Sequence, residues 1–505
     1  MRFCLMVADR SQSKATRSFH GLKPECLPFG EVLAQSFAVI APTTIPASNL
    51  GLIVALAGNG TWLSFLIGMV GLMFVGININ QFASRSASPG SLYSYIVKGL
   101  NPTAGVICGW SLVLAYLFTG MSVLCGLANF SGLLLGHVGI HFSTITLLAI
   151  GAAIAWYASY KDIQLSAMAM LCLEGTSIVL IVVLAAIIWM NAGFAIDGSQ
   201  LTLRDTTPGG IAMGLVLVLF AFSGFESATS LGDEAKDPLR SIPRAVMGSA
   251  IVAGLFFTLT AYIEILGFSG TGVSITTTEE PLGFLADRAG VGILGDLVAF
   301  SALFSFFSCV LGSITPAARI CFTMARHGLF PSLLGKAHSF NRTPHIAVTL
   351  CSLLMFFIPG LLSMLGVPLF ESMGYLGAIA SYGFLTVYVL ISIAAPVYLL
   401  KLNKLRSRDL VFSALGVAFM SLPVLGSIGI PGSDLFPVPE APYCWFPYLF
   451  VVYLSVTCGW FFIQRIRSPR LIHAMQQSIE EVHERFSTLE PITVPTAQPI
   501  NSYED

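Results

Sequence analysis

The sequence predicts an all-α integral membrane protein, and two observations carry this fold class. Of the 505 residues, 55% are hydrophobic and only 10% are charged, with a mean hydropathy of +0.81. A soluble domain carries roughly 25% charged residues, so this chain has too few charges to cover a soluble surface. The second observation is a series of apolar runs of about 20 residues, the length that a helix needs to cross a bilayer.

Twelve such runs divide the chain. Their approximate limits are residues 31–57, 61–83, 102–133, 143–160, 164–190, 209–231, 245–268, 291–316, 345–366, 372–400, 410–430 and 444–464. We therefore expect a twelve-span domain over residues 31–464, between a flexible cytosolic tail (1–30) and a second cytosolic tail (465–505). Within the second tail we expect a short amphipathic helix around 471–486 and disorder in the last 15 or so residues.

The basic residues give the orientation. When both termini are placed in the cytoplasm, all but Arg204 and Arg288 of the 25 Lys and Arg residues fall on the cytoplasmic side. The positive-inside rule favours this arrangement, and a frame wrong by one span would scramble it. The segment 317–330 is half apolar and half basic, which predicts a short helix lying along the cytoplasmic face.

Two of the runs contain interruptions. The first run holds Pro42 and Pro46 beside Thr43 and Thr44, and proline removes a backbone donor and clashes with the preceding turn. A simple proline kink, which membrane helices tolerate, is the alternative interpretation. The sixth run holds Glu226 within Ser223–Ser227, where an acid costs about 3 kcal/mol on insertion scales. An acid at that cost indicates a functional site.

The two interruptions lie five spans apart, in corresponding members of two five-helix halves. Paired interruptions of this kind are typical of transporters built from inverted repeats, with the substrate bound between the broken helices. Helix ends at such breaks can receive a carboxylate or an ammonium group through the backbone.

Four groups of residues resemble the amino acid–polyamine–organocation (APC) permeases, in their bacterial amino acid permease branch, over nearly all twelve runs. The most specific group is the sixth run with the loop behind it. The groups are Phe222–Ala228 with Leu231–Glu234 and Pro238–Ala245; Pro89–Tyr95 with Gly109, Trp110 and Tyr116; Arg319–Pro331 with Asn341–His345; and, more weakly, Ala41–Thr43.

This resemblance implies the leucine-transporter-like fold, a 5+5 inverted repeat with two additional C-terminal helices. Repeat one would be 31–190, repeat two 209–400, and the extra helices 410–464. It also implies a secondary active transporter (permease) that moves amino acids or related amines by alternating access, driven by a proton or ion gradient or by substrate exchange. The protein would lie in the inner or plasma membrane, with a small-molecule substrate, the bilayer and a co-transported proton or ion as its partners.

The resemblance also assigns roles to residues. Substrate would be held through the backbone by the two breaks, and Tyr116 and Phe307 are candidates for lining the pocket. Phe220 and Phe222 at the break are candidates for aromatic gating, and Glu226 would couple gating or proton binding to substrate. The residues predicted at the breaks are Ala41, Pro42, Thr43, Thr44, Ile45, Ala221, Phe222, Ser223, Gly224 and Phe225.

One departure concerns the fifth run. Some proton-coupled relatives carry a lysine there, whereas this chain has Glu174 and no lysine in that run. Because Glu174 is near mid-depth, it should face the protein interior and act in gating or coupling, which leaves the coupling ion open. At the end of the sixth run a cluster of charges suggests an inner-gate network, with a solvated charged loop as the alternative: Asp233, Glu234, Lys236, Arg240, Arg244, Arg319 and Arg326.

Other functional classes fit the sequence less well. A channel would need a polar pore, and few charges lie in mid-span; a membrane enzyme would need clustered His, Asp or Glu near one interface, and the sequence has no such cluster. No nucleotide-binding loop, CxxC motif or Cys/His cluster is present, and no cofactor, metal or nucleic-acid partner is expected. A symporter for an inorganic ion or another organic solute on the same fold is the alternative function.

Overall fold

The fold is helical throughout the described part of the chain. A computed structural model describes residues 21–278, 280–433, 435–467, 472 and 475–481, except for the side chains of residues 48, 49 and 137. Among these residues the only strand-like pairing is an isolated bridge between Leu27 and Ala235. The disorder expected at the end of the chain and the tail residues 1–20 lie outside this description.

The α-helices of the described residues follow one another along the chain with short connections. They are α1 (Phe29–Ile40), α2 (Leu50–Ala57), α3 (Thr61–Ala83), α4 (Ser91–Gly99), α5 (Pro102–His137), α6 (Thr144–Lys161), α7 (Ile163–Asn191), α8 (Gly198–Leu201), α9 (Pro208–Ala221), α10 (Pro238–Phe268), α11 (Pro281–Arg288), α12 (Gly292–Arg326), α13 (His345–Met364), α14 (Leu369–Lys401), α15 (Ser407–Ile428) and α16 (Phe446–Arg467). A further helical stretch covers residues 475–481.

Nine helical stretches of the described chain are long and apolar enough to cross a membrane, and α9 is a shorter apolar helix. The protein is therefore a multi-pass membrane protein. The predicted runs at 61–83 and 345–366 correspond closely to α3 and α13. At the centre, α5 packs most extensively against α14 and α12.

The prediction of a separate interfacial helix at 317–330 is wrong. Helix α12 continues without a break through Pro316 to Arg326. Nearly all of residues 317–325 are buried inside the protein, because this end of α12 is covered by other parts of the chain and Arg319 has an acidic partner there. The half-basic pattern therefore reflects a buried ion pair and not a helix lying on the membrane surface.

The interruption predicted in the first run is confirmed. Helix α1 ends at Ile40, and Ala41 takes a left-handed conformation with φ of 47°. The hydroxyl of Thr44 donates to the Ala41 carbonyl oxygen at 2.8 Å, which satisfies one of the groups freed by the break. A π-helical turn at Ile45–Asn49, with Pro46 at its start, then leads into α2. Proline lacks an N–H, so the regular helix cannot pass through this segment.

The interruption predicted in the sixth run is also confirmed. Helix α9 ends at Ala221, and a 3-10 helix begins again at Ser227–Leu231. Gly224 lies between them with φ of +91°, a conformation that an L-residue with a side chain rarely adopts.

The residues before α1 are packed, unlike the flexible tail that was expected up to residue 30. Leu22 and Leu27 are buried. The backbone amides of Cys26 and Leu27 donate to the Glu234 carbonyl oxygen at 2.8 and 2.9 Å, and the ammonium group of Lys23 lies 3.0 Å from Asp162. We call this end of the bundle, which carries residues 21–28 and α4, the N-terminal face.

Candidate functional site

The two interrupted spans touch each other at the middle of the molecule. A Cβ atom added to Gly224 would come within 2.1 Å of the Val39 side chain, so only glycine allows this approach. The Ser227 hydroxyl donates to the Gln35 carbonyl oxygen at 3.0 Å, and the Ala228 amide donates to the Ser36 hydroxyl at 3.2 Å. The end of α1 is thereby joined to the start of the 3-10 helix.

Glu226 is fully buried directly behind this contact, and both of its carboxylate oxygens accept hydrogen bonds. Tyr116 on α5 donates to one oxygen at 2.6 Å, and Tyr388 on α14 donates to the other at 2.5 Å. The Tyr388 hydroxyl also accepts from the Gly224 amide at 2.9 Å. One tyrosine thus connects α14, the acid and the backbone of the break.

Glu174 lies on the other side of α1. It is buried on α7, as expected for an acid facing the interior, and accepts from the Ser305 hydroxyl on α12 at 3.1 Å. Its second oxygen, like the Thr43 hydroxyl, has no hydrogen-bond partner among the described residues. Two buried acids therefore lie near the first break. Both carboxylate oxygens of Glu226 accept hydrogen bonds, whereas one oxygen of Glu174 has no partner among the described residues.

The residues predicted to hold substrate differ in exposure. Most of them are buried, whereas Ile45, Ser223 and Phe307 are half-buried. Phe220 is 41% exposed. Its ring nevertheless lies close to Gly377 of α14, where an added Cβ would be 3.0 Å from the ring. The buried members of the predicted set are Ala41, Pro42, Thr43, Thr44, Tyr116, Ala221, Phe222, Gly224 and Phe225.

At the N-terminal face, Glu234 and Arg319 form a buried ion pair. Their side chains are 1% and 3% exposed, and the Arg319 Nε donates to the Glu234 carboxylate at 3.0 Å. Burial raises the pKa of Glu234, and the neighbouring guanidinium opposes that rise. Asp233 is half-buried beside the pair. The other predicted members lie exposed outside it: Lys236, Arg240, Arg244 and Arg326.

Several residues of this site were not anticipated from the sequence. Tyr388 and Ser305 occur in apolar runs where an isolated hydroxyl gives no signal of its own. Gln35 is a polar residue inside the first run, and its buried side-chain amide donates to the Gly312 carbonyl oxygen at 2.7 Å. An amide in mid-span is the one signal that would have indicated a tertiary hydrogen bond there.

No group of three or more His, Cys, Asp or Glu side chains that could hold a metal ion occurs among the residues that the structure describes. The two buried acids at the breaks lie on different spans and have serine, threonine or tyrosine neighbours. Their surroundings provide hydroxyl donors for carboxylates.

Comparison with known proteins gives a consistent family. The family model described as amino acid permease matches residues 31–463. The chain is 25% identical over 403 residues to the branched-chain amino acid permease BcaP of Bacillus subtilis, covering 76% of this chain and 82% of the relative. It is 26% identical over 332 residues to the low-affinity putrescine importer PlaP of Escherichia coli, covering 63% and 71%. The serine/threonine exchanger SteT of Bacillus subtilis is 22% identical over 322 residues, covering 59% and 68%.

Proposed function

This chain belongs to the amino acid permease family, and on that premise we propose that it moves its substrate by alternating access, driven by a proton or ion gradient or by substrate exchange. The protein is a transporter of amino acids or related amines and not an enzyme. The observation that carries the proposed mechanism is the contact between the two interrupted spans, with Glu226 held behind it by two tyrosines.

The proposed architecture is twelve spans with two inverted repeats, and the packing pattern supports it. If the first five spans correspond to the next five, each contact between halves should have a mirrored counterpart. The third span (α5) packs on the tenth (α14), and the eighth (α12) packs on the fifth (α7). The first span likewise contacts the seventh, and the sixth contacts the second. Such reciprocity follows from a pseudo-twofold relation.

The conformation is proposed to be closed at the N-terminal face and accessible from the opposite face. Every residue from Glu226 to Gly232 is buried, and the Glu234–Arg319 pair lies below them. Phe220, on the opposite side of the break, is accessible. Since the basic residues concentrate at the N-terminal face, we assign that face to the cytoplasm of the inner or plasma membrane.

The breaks supply complementary backbone groups for an amino acid. Helices α1 and α9 both end there, at Ile40 and Ala221, and the carbonyl end of a helix carries partial negative charge that favours an ammonium group. The helical segment that restarts at Ile45 presents its amide end, which favours a carboxylate. We therefore propose that the α-amino and carboxylate groups of the substrate bind between the breaks. Ser223, Phe220 and Phe307 would line the remaining space.

The two buried acids, Glu226 and Glu174, are proposed to have different roles in coupling. Glu226 already accepts from two hydroxyl groups, so its role is to transmit movement of the break to α5 and α14. Glu174 has an unused carboxylate oxygen between α1, α7 and α12. That oxygen can accept a proton or ligate a cation, so we propose Glu174 as the group that binds the coupling ion.

A ligand panel tests the substrate class. Purified protein is heated with L-leucine, L-serine, putrescine, sodium ion or an inorganic anion, and its unfolding temperature is measured. Binding to the native state at 100 times Kd adds about 2.7 kcal/mol to stability, so a true substrate raises the unfolding temperature. If only an inorganic ion has an effect, the alternative of an ion symporter on this fold replaces the proposal.

Exchange of the acids for amides tests the coupling. In proteoliposomes, Glu174→Gln should abolish the dependence of uptake on the driving ion while counter-exchange of substrate continues. Glu226→Gln should slow uptake and exchange together, because it weakens a link in the moving break. Unaltered uptake and ion dependence in both variants would remove the proposed coupling roles.

A further inference from the structure

The helical stretch at residues 475–481 lies on the N-terminal face and is amphipathic. Met475 and Ile479, four residues apart, are buried, whereas Gln476, Gln477 and Glu480 are exposed. Residues spaced by four share one face of a helix, so a single apolar stripe faces the bundle. This agrees with the amphipathic helix expected in the C-terminal tail.

Helix α4 and the end of α12 meet under this stretch, at the hydroxyl group of one tyrosine. The Tyr93 hydroxyl on α4 donates to the Met475 sulfur at 3.1 Å. The same hydroxyl oxygen lies 2.8 Å from Nδ1 of His327, which directly follows α12. Lys98, one and a half turns further along α4, forms an ion pair with Glu480. The stretch is therefore bonded to α4 and covers the place where α4 is hydrogen-bonded to the end of α12.

A small cavity lies between the stretch and the bundle. Its walls come from α3, α4, α12 and α14, and its roof from the C-terminal stretch. Ser88, Ser94, Thr323 and His327 supply polar lining, and Ser478 and Ile479 cover them. The bundle is therefore not tightly packed at the place that the stretch covers.

The walls of this cavity belong to parts that alternating access must separate. Helix α3 packs on α10 and contacts α2 and α9 of the two broken spans, whereas α12 packs on α5 and α7. Helix α4 packs on α5 and α14, and its Ser91 hydroxyl is hydrogen-bonded to the Thr229 hydroxyl of the 3-10 helix. The 3-10 helix contacts both α4 and α12, so opening of the N-terminal face must separate it from them.

From these contacts we propose that residues 475–481 are an autoinhibitory latch, which holds the N-terminal face closed until it undocks. The inference rests on the proposed alternating-access function and adds a regulatory element to it. The latch can undock at low cost, because only one apolar stripe is buried and its ion pair with Lys98 is exposed to solvent. The Glu480 side chain is 53% exposed. Exposed ion pairs contribute little to stability, so small changes shift this equilibrium.

Hydrogen–deuterium exchange of the full-length protein tests the latch without any substrate. The variants are Ile479→Glu, which puts a charge in the apolar stripe, and Lys98→Glu, which breaks the ion pair. We expect severalfold faster exchange in residues 91–99 and 227–235. The charge swap Lys98→Glu with Glu480→Lys should restore the original exchange. Gln477→Ala, an exposed neighbour, should leave exchange unchanged.

A chain ending at Arg467 provides a second variant that keeps all the long apolar helices intact. It should show the same fast exchange at 91–99 and 227–235. Faster exchange confined to 475–481 in the point variants, with 91–99 and 227–235 still protected in the shortened chain, would overturn the proposal. Because exchange reports opening directly, this result is separate from the substrate panel: a failed panel with a positive exchange result removes the substrate assignment and not the latch.

Discussion

Tyr388 is the residue on which the breaks, the buried acid and α14 converge. Its hydroxyl group donates to Glu226 and accepts from the Gly224 amide. Tyr388→Phe removes both bonds and leaves two buried polar groups short of a partner, each costing about 1–3 kcal/mol. We expect a lower unfolding temperature and slower uptake, measured by fluorescence-detected unfolding and by proteoliposome flux.

A matched control for this variant exists on the same helix. Tyr375 donates to Glu371 at 3.0 Å in an exposed i,i+4 pair. Tyr375→Phe should therefore change the unfolding temperature very little. Equal effects of the two substitutions would mean that the Tyr388 hydroxyl has no special role.

Gly224 is the second residue with a sharp prediction. Gly224→Ala places a methyl group against Val39 and forces a side-chain residue into a positive φ, which costs about 1–2 kcal/mol from the backbone alone. Overpacking adds about 1–3 kcal/mol. We expect a loss of monodisperse, folded protein in size-exclusion chromatography, partly restored by adding Val39→Ala. Gly175→Ala on α7, where a Cβ would meet open space, should behave as the parent protein.

Glu264 on α10 is buried with both carboxylate oxygens lacking a partner among the described residues. Burying an unpaired polar group costs about 1–3 kcal/mol in mutational data. Glu264→Met, a side chain of similar length, should therefore raise the unfolding temperature. Glu371→Met at an exposed position should give a change within about 0.5 kcal/mol. A fall in stability at Glu264 would instead reveal a partner that the carboxylate needs.

The two acids of this site, Glu226 and Glu174, could be predicted from the sequence, but Tyr388 could not. An acid in an apolar run is costly, so Glu226 and Glu174 could be selected from the sequence alone. Tyr388 could not, because a tyrosine in a membrane helix has the same pattern whether it packs or donates a hydrogen bond. Its role depends on a contact with residues more than 160 positions away.

At the scale of elements, backbone chemistry was predictable and tertiary pairing was not. Pro42, Pro46 and Gly224 impose their breaks locally, so both interruptions could be read from the sequence. The continuation of α12 to Arg326 depends on Glu234, which lies in a distant segment and neutralises Arg319. Seen without that partner, a basic apolar segment has the same composition as an interfacial helix.

The Glu234–Arg319 pair fixes the end of α12 against the loop that follows the 3-10 helix. Arg319→Ala leaves a buried carboxylate without its partner, which typically costs 3–5 kcal/mol. We expect a large fall in unfolding temperature, with a smaller fall for the double variant Arg319→Met and Glu234→Leu. Arg240→Ala removes only an exposed partner of Asp237 and should have an effect of about 0–1 kcal/mol. Equal losses for Arg319→Ala and Arg240→Ala would show that the buried pair does not anchor this end.

At the scale of the whole molecule, the proposed relation between the two halves rests on the paired interruptions and on the packing. The halves have no similarity that can be recognised by eye, because membrane-facing positions accept any apolar residue of suitable size. The proposal that they are equivalent is supported by which helix packs on which, for example α5 on α14 and α12 on α7. This is a property of the assembled bundle and not of any segment.

The proposed orientation predicts the location of both termini. A fluorescent protein fused after Asp505 should be fluorescent in a bacterial host, and alkaline phosphatase at the same place should be inactive, because both termini are assigned to the cytoplasm. Phosphatase inserted after Gly272, in the exposed connection behind α10, should be active. The reverse pattern would invert the assignment of the N-terminal face.

The pairing of Leu27 with the segment around Ala235 also has a consequence for biogenesis. Residues 21–28 leave the ribosome first, but their partners follow only after the sixth run has been made. At about 5–20 residues per second, the early segment waits roughly 10–40 s for the segment around Ala235. During that time the residues just before α1 lack their contacts with residues 233–236. The nascent chain therefore offers the insertion machinery an unfinished end that is completed only when half of the protein is already in the bilayer.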